Sequence, residues 1–449
     1  MKRDIEKELF IWKNQSERLP LLLRGARQVG KSYIVEEFGK KAYENAVVVN
    51  FEFQPELKQC FVTLNPIEII NKLQMLMGVT VEAEKTLLFL DEIQECPNAI
   101  MALRYFKEQY GKLAVIGAGS LMEFTLSSPD FRMPVGRVQF MYLEPLSFGE
   151  FLSASGNEQL RKYLGEIHLN STIDDVIHNK LMDLLRIYLI VGGMPAVVKE
   201  YLNSKNYLNC QRLQNSLLQT YRSDFGKYAK NSEHKNIQKV FDEAPRLVGS
   251  RIKYSNIDPE TKSRDLKNAL NLLKLSGIVH PIYATAASGL PLGAQANETK
   301  FKLNFLDVGL MQNACGLQKQ LSVTNDFIQV NAGAVAEQFI GQELSAYFDS
   351  YLEHNLFFWA RDKKSSSAEV DYVVAVDSLI LPVEVKAGKT GTLKSLKIFI
   401  EEKKSPFGIR FSQEKPSFFD KVLTLPLYMA EQMQRLAKEI RINNNLRKS

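Results

Sequence analysis

No apolar run of membrane-spanning length occurs in this 449-residue sequence. The most apolar stretch, LLRIYLIVGGMPAVV, is broken by Arg186 and by Gly-Gly-Met-Pro, and the N-terminal MKRDIEKELFIWKNQ is charged throughout, without the apolar core of a signal peptide. Neither a membrane span nor a secretory leader is expected. Cysteine is scarce: Cys60, Cys96, Cys210 and Cys315 stand far apart, without the CxxC spacing of a zinc site or the density of a disulfide scaffold. A reducing cytoplasm is the expected compartment. Internal repeats and low-complexity segments are also lacking, and a net charge of +6 permits contact with a polyanion without demanding it. What is present is 45% hydrophobic and 24% charged, an ordinary soluble globular composition, with length for about three domains.

The first motif comes early. LPLLLRGARQVGKSYIVEEFG runs from an apolar strand through a Gly-bounded loop into a helix, and Gly25-Ala26-Arg27-Gln28-Val29-Gly30-Lys31-Ser32 is a full P-loop. Backbone N–H groups of such a loop close on a phosphate of ATP, Lys31 reaches the β and γ oxygens, and the Ser32 hydroxyl is a Mg2+ ligand at a positive helix N-terminus. Further on, KTLLFLDEIQECP reads as a buried parallel strand that delivers Asp91 and Glu92 at its carboxyl end. Asp91 is the expected holder of Mg2+, directly or through water. Glu92 is placed to polarise an attacking water, which marks a hydrolase more than a small-molecule kinase. A third strand, KLAVIGAGS, ends in Ser120, a candidate γ-phosphate sensor. In FRMPVGRVQFMYLEPLSFGEFL, Arg132 and Arg137 are candidate charge stabilisers; Arg137 is favoured, and an ordinary surface arginine is the alternative for both.

The order of GARQVGKS, LLFLDEIQ, VIGAGSLMEF, GRVQFMYLEPLSFGEF and VGGMPAVV resembles the prokaryotic AAA+ ATPases whose C-terminal half is a domain of unknown function. The resemblance implies nucleotide contact by Lys31 and Ser32, metal and water handling by Asp91 and Glu92, and a sensor at Ser120. It supplies parts more than a purpose.

Residues 156–235 are rich in Leu and Tyr at helical spacings and read as a lid of packed helices following an ATPase core at 1–155. From 236 to 296 the pattern is helix, polar turn, a second helix with Leu266, Ala269, Leu270 and Leu273 on one face, Gly277, and an extended apolar pair. That order is a winged-helix arrangement. Lys262, Arg264 and Lys267 lie on the expected exposed side of its second helix and are candidates to meet DNA phosphates, against the alternative of a packing module. TAASGLPLGAQANETKF has loop composition, and Asp307 in FKLNFLDVGL is placed to cap a short helix.

In the last part, a nuclease-like domain at 297–430, the pattern from residue 330 reads as helix, strand, strand, helix, followed by a C-terminal helix and tail at 431–449. NAGAVAEQFIGQELSAYF is a helix containing Glu337; EVDYVVAV and LILPVEVKAG form an antiparallel hairpin about Asp377 and Ser378. Glu384 and Lys386, two apart on a strand, share a face and form either a salt bridge or part of a site. With Asp371 and Glu337 they make up the constellation of the PD-(D/E)xK nuclease fold, in which carboxylates hold Mg2+ or Mn2+ beside a phosphate and the lysine activates water. WARDKKSSSAEVDYVV and PVEVKAGKTGTLKSLKIF resemble the same family, although Val-Asp stands where the superfamily has Pro-Asp. Lys389, Lys394 and Lys397 follow the site and are candidates to track a DNA backbone.

Taken together, the expected fold is α/β: a P-loop AAA+ domain with a parallel sheet, a helical lid, a winged-helix-like segment and an α/β restriction-nuclease-like domain. The expected function is an ATPase coupled to a nuclease-like domain that binds or cleaves nucleic acid, DNA before RNA, in a possible homo-oligomer. The alternative is a nucleotide-dependent switch or scaffold whose nuclease-like domain is catalytically inactive.

Overall fold

Strands that are apolar from end to end must be covered on both faces, which is the requirement of a parallel sheet between helices. The computed structural model of the chain describes residues 1–126, 136–169, 171–228, 231–316, 332–353, 355–361, 368–388 and 391–446. They fall into two units, Met1–Glu144 with the short segments 275–277 and 348–353, and 145–274 with 278–347 and 354–449.

In the first unit, β1 (Leu21–Arg24), β2 (Asn45–Asn50), β3 (Thr86–Asp91), β4 (Ala114–Ala118) and β5 (Gln139–Tyr142) form a sheet in the order β2-β3-β4-β1-β5. Every pairing is parallel. One face is packed by Ile69 and Leu73 of the helix Pro66–Met77 and by Ile100, Leu103 and Phe106 of the helix Pro97–Gln109, against Val47, Val49, Leu88 and Leu90. Each such side chain contributes roughly 1.5–3 kcal/mol on burial. The helix Pro66–Met77 starts where Asn65 accepts from the Ile67 N–H at 3.0 Å, with Pro66 fixing the first turn, and stops at Gly78 in the left-handed region. The parallel order brings the ends of β1, β4 and β3 to one edge as neighbours, with Asp91 paired to Ala118.

The second unit contains an eight-stranded mixed sheet. Its strands are β6 (Val279–Thr285), β7 (Ala296–Phe305), β8 (Leu356–Ala360), β9 (Glu369–Val376), β10 (Leu379–Val385), β11 (Gly408–Ser412), β12 (Ser417–Phe419) and β13 (Val422–Pro426), in the order β12-β13-β11-β10-β9-β8-β6-β7. β9 and β10 form the expected antiparallel hairpin, with Asp377 left-handed at its tip. β10 and β11 are parallel, joined through the helix Lys394–Lys403, whose Leu396, Phe399 and Ile400 pack on Trp359, Val370 and Val373.

The stretch 285–301 read as loop is a connection only as far as Gln295, because Ala296–Phe305 is one strand. Asn297, Glu298 and Thr299 tolerate this because β7 is an edge strand, where polar exposed side chains are suitable. The apolar pair read as a wing is thus the β6–β7 hairpin, and β6 runs parallel to β8 within the larger sheet. The helix Ser263–Leu275 precedes it, with Leu266, Ala269, Leu270 and Leu273 buried as its periodicity predicts.

Two of the sequence motifs meet in the second unit. Asp307 caps the helix Val308–Ala314 by accepting from the Leu310 N–H at 3.0 Å, and its other oxygen accepts from the Gly193 N–H at 2.6 Å. Gly192, at φ 75°, has no room for a side chain: a Cβ would lie 2.1 Å from Asp307 Oδ1. The Gly-Gly-Met-Pro turn is therefore shaped around one buried carboxylate. Burial pushes the Asp307 carboxyl up to about 6. Next to this turn, where the Leu146 N–H donates to the Gly193 carbonyl at 2.7 Å, Ser147 and Glu150 form a capping box on the helix Phe148–Ala154, and the Phe148 N–H donates to buried Glu343 at 2.9 Å.

Candidate nucleotide site and carboxylate cluster

The P-loop connects β1 to the helix Lys31–Ala42. Gly25 is required by space as well as by its φ of 139°, since a Cβ there would meet the Leu143 carbonyl oxygen at 2.2 Å. Gln28 and Gly30 also have positive φ, at 67° and 98°, the backbone form of loops that close on an anion. Arg3, a residue the motif search passes over, donates to the Val29 carbonyl at 3.0 Å and to the Glu144 carbonyl at 2.6 Å, bracing the loop.

Lys31 is buried, and its Nζ donates to the carbonyls of Gly25 (2.9 Å) and Ala26 (2.8 Å). Burial lowers its pKa to about 8, opposed by the charges of Glu92 and Asp91. The Ser32 hydroxyl lies 3.0 Å from both oxygens of Asp91, and Asn50 Nδ2 donates to Asp91 Oδ2 at 2.9 Å. Burial raises the Asp91 carboxyl above its ordinary value, against the hydrogen bond from Ser32. Asn50 ends β2 as Asp91 ends β3, directly across the pair. Its position at a strand end was a usable signal, but only once the strand order was known. Glu92 is left-handed at φ 47° and accepts from Gln94 Nε2 at 2.7 Å. Ser120 is buried just beyond β4, between the ends of β1 and β3.

Hard oxygen donors from Ser32 and Asp91, side by side at the start of the helix that follows the loop, suit Mg2+ and the phosphates of a nucleotide. Ala26, Arg27, Gln28 and Val29 line the same turn. Arg137 lies on the surface, its Nε 3.0 Å from Glu108 Oε1. Arg132 lies outside the described residues.

The second constellation sits on β9, β10 and the helix Ala332–Ala346. Asp371 and Glu384 come from the paired strands, and Asp371 Oδ2 accepts from the Val385 N–H at 2.8 Å. Lys386 Nζ lies 2.6 Å from Glu384 Oε1, so the charged pair of LILPVEVKAG is a salt bridge. Glu384 Oε2 is buried without a hydrogen-bond partner among the described residues. Glu337 projects from the helix, whose turn is fixed by the Tyr372 hydroxyl donating to the Glu337 carbonyl at 2.8 Å. Burial raises the carboxyls of Glu337, Asp371 and Glu384, and their mutual repulsion adds to it for Glu337 and Glu384.

Two residues that motif reading missed complete this cluster. Lys302 of β7, its side chain 2% exposed, sends Nζ to Glu369 Oε1 (2.5 Å), Glu337 Oε2 (3.4 Å) and Asp371 Oδ1 (3.6 Å). Burial works against its charge, but Glu337, Asp371 and Glu369 together hold its pKa above the usual lysine range. Glu369 is held from its other oxygen by Arg251 Nε at 2.5 Å. Among the described residues, no three His, Cys, Asp or Glu side chains are gathered so as to hold a metal ion. Mg2+ or Mn2+ therefore does not fit this arrangement as it stands, because the point between the carboxylates is taken by an ammonium. Lys394 and Lys397 open the helix Lys394–Lys403, with Lys397 paired to Asp420 at 2.6 Å; Lys389 lies outside the described residues.

Among the described residues, no helix is long and apolar enough to cross a membrane. No curated protein matches the chain. Among solved structures it is similar to the Walker-type ATPase of Pyrococcus abyssi, at 14% identity and TM-score 0.45 over 70% of this chain and 96% of that one. It is also similar to the Aeropyrum pernix ORC1 protein in complex with DNA (11%, TM-score 0.30, 72% and 94%) and to the Thermotoga maritima RuvB Holliday junction branch migration motor (13%, TM-score 0.30, 62% and 88%). Residues 182–321 and 332–428 match two domains of unknown function, DUF8612 and DUF4143. Residues 17–152, which span the P-loop and all five parallel strands, match the family model described as an AAA domain.

Proposed function

We propose that this chain is a Mg2+-dependent ATPase whose second unit holds a nuclease-like domain that contacts nucleic acid, DNA in preference to RNA. The observation that carries the ATPase reading is the meeting of Lys31, Ser32 and Asp91 at the carboxyl edge of a parallel sheet, with Glu92 next in the chain. Mg2+ when bound neutralises charge on the outer phosphates, and Ser32 and Asp91 are the groups that would hold it. Lys31 exchanges its two carbonyl partners for phosphate oxygens. Glu92 orients the attacking water, and Ser120 contacts the γ-phosphate. Arg137 is the charge stabiliser, offered to a neighbouring copy in a homo-oligomer after release from Glu108.

DNA contact is supported by the exposed Lys262, Arg264 and Lys267 around the start of the helix Ser263–Leu275. Lys302 amid the carboxylates favours the reading in which this domain binds without cutting.

Steady-state ATP hydrolysis tests the first part. Lys31→Ala should lose nucleotide binding, and Glu92→Gln should bind ATP and stall; parental turnover in both variants would sink the proposal. Gel shifts and cleavage assays on labelled linear DNA, branched DNA and RNA test the second part.

A further inference from the structure

We infer that Lys302 is the resident cation of the Glu337–Glu369–Asp371 cluster and excludes a divalent metal from it. The inference rests on the nuclease-like reading only in treating these carboxylates as a metal-site constellation; the ion pairs themselves stand without it.

Charge comes first. The carboxylates of Glu337, Glu369, Asp371 and Glu384 face the cations Lys302, Arg251 and Lys386, each cation within ion-pair distance of at least one of them. The set is thus nearly neutral without any added ion. Buried carboxylates left unpaired would be costly, and here the compensation comes from within the chain.

Position comes second. Lys302 belongs to a regular strand, paired to Ile282 of β6, so its backbone is fixed. Its Nζ also sits 5.5 Å from the centre of the Phe358 ring, which walls the ammonium on one side. A metal entering between Glu337, Glu369 and Asp371 would have to displace an ammonium whose side chain is buried.

Replacing the lysine by an isosteric apolar residue should therefore create a divalent-cation site that the natural chain lacks. The test is Mn2+ binding to the full chain without nucleotide, followed by the electron paramagnetic resonance of free Mn2+. The variants are Asp371→Asn, Lys302→Met, and Lys302→Met with Asp371→Asn; any Mn2+ held at Ser32 and Asp91 is common to all. The natural chain and Asp371→Asn should bind alike. Lys302→Met should bind about tenfold more tightly or better, the scale expected when a competing buried cation is removed, and the double variant should lose that gain.

Mn2+ binding by the natural chain that disappears in Asp371→Asn would overturn the inference. So would a folded Lys302→Met chain, judged by circular dichroism, that gains no site. If Lys302→Met does not fold, the comparison of the natural chain with Asp371→Asn decides alone. A DNA-cleavage assay on the same samples separates this inference from the function proposed above. Asp371-dependent cleavage would overturn the metal exclusion while supporting a nuclease, whereas absence of any DNA binding would remove the nucleic-acid reading and leave the Mn2+ result intact.

Discussion

Ser32 and Asp91 are locked together, the hydroxyl 3.0 Å from each carboxylate oxygen, and Asn50 holds that carboxylate in place through Oδ2 at 2.9 Å. A group that orients a metal ligand from behind typically affects metal affinity or activity by about ten- to a hundredfold. Asn50→Ala should therefore lower Mg2+-dependent ATP turnover by about that factor, with nucleotide binding in the absence of Mg2+ little changed. Titration of turnover against Mg2+ checks this, and a normal Mg2+ requirement would show that Asn50 is only a strand-end residue.

Lys31 supplies a pH dependence. Burial holds its pKa down to about 8. The ammonium needed for phosphate contact is thus full below that value and is lost as pH rises through it. Apparent affinity for ATP should fall by up to about tenfold per pH unit above this point, with proton uptake on binding. Fluorescent-nucleotide titrations at a series of pH values measure the slope, and Lys31→Arg should show none.

Glu343 makes a stability prediction. Burial raises its carboxyl from 4.5 to about 8, although it accepts the Phe148 N–H. The folded state therefore binds more protons than the unfolded state between these values, and this group's contribution to stability falls as pH rises through that window. Glu343→Gln keeps an acceptor oxygen and removes the charge. The difference in melting temperature between variant and natural chain should grow in the variant's favour from about pH 4.5 to about pH 8 and then level off. A difference independent of pH would mean that Glu343 is not buried in its ionisable form.

Gly192→Ala should destabilise the second unit. The substitution forces a side chain into a backbone conformation open almost only to glycine, at a cost of roughly 1–3 kcal/mol, before its collision with Asp307 is counted. Calorimetric unfolding is the measurement.

The P-loop and the Asp91 strand end could be read directly because their chemistry is local: eight consecutive residues, and one strand with its terminal acid. The β9–β10 hairpin was legible for the same reason, through its short turn and alternating apolar residues. Lys302 was not. In ANETKFKLNF the apolar Phe301, Leu303 and Phe305 alternate with Lys302 and Asn304, a pattern that reads as one buried and one solvated face. The structure buries both faces, since Asn304 and Lys302 look toward Tyr372 and the carboxylates. No local rule distinguishes a polar stripe facing water from one facing acids brought in from a distant strand. Arg3 and Asn50 were missed likewise, their partners being set by strand order.

The place of the β6–β7 hairpin bears on how this chain can be divided or inherited. Its strands lie in the segment matching one family model, residues 182–321, while β8 to β11 lie in the segment matching the other, 332–428. The two segments nevertheless share one sheet, because β6 is the hydrogen-bonding neighbour of β8. A gene rearrangement that carried off the second segment alone would leave β8 as a bare edge, an invitation to aggregation. It would also leave an acid cluster stripped of its lysine. The two matched segments are therefore one structural unit, whose strands and acid cluster come apart if either is removed.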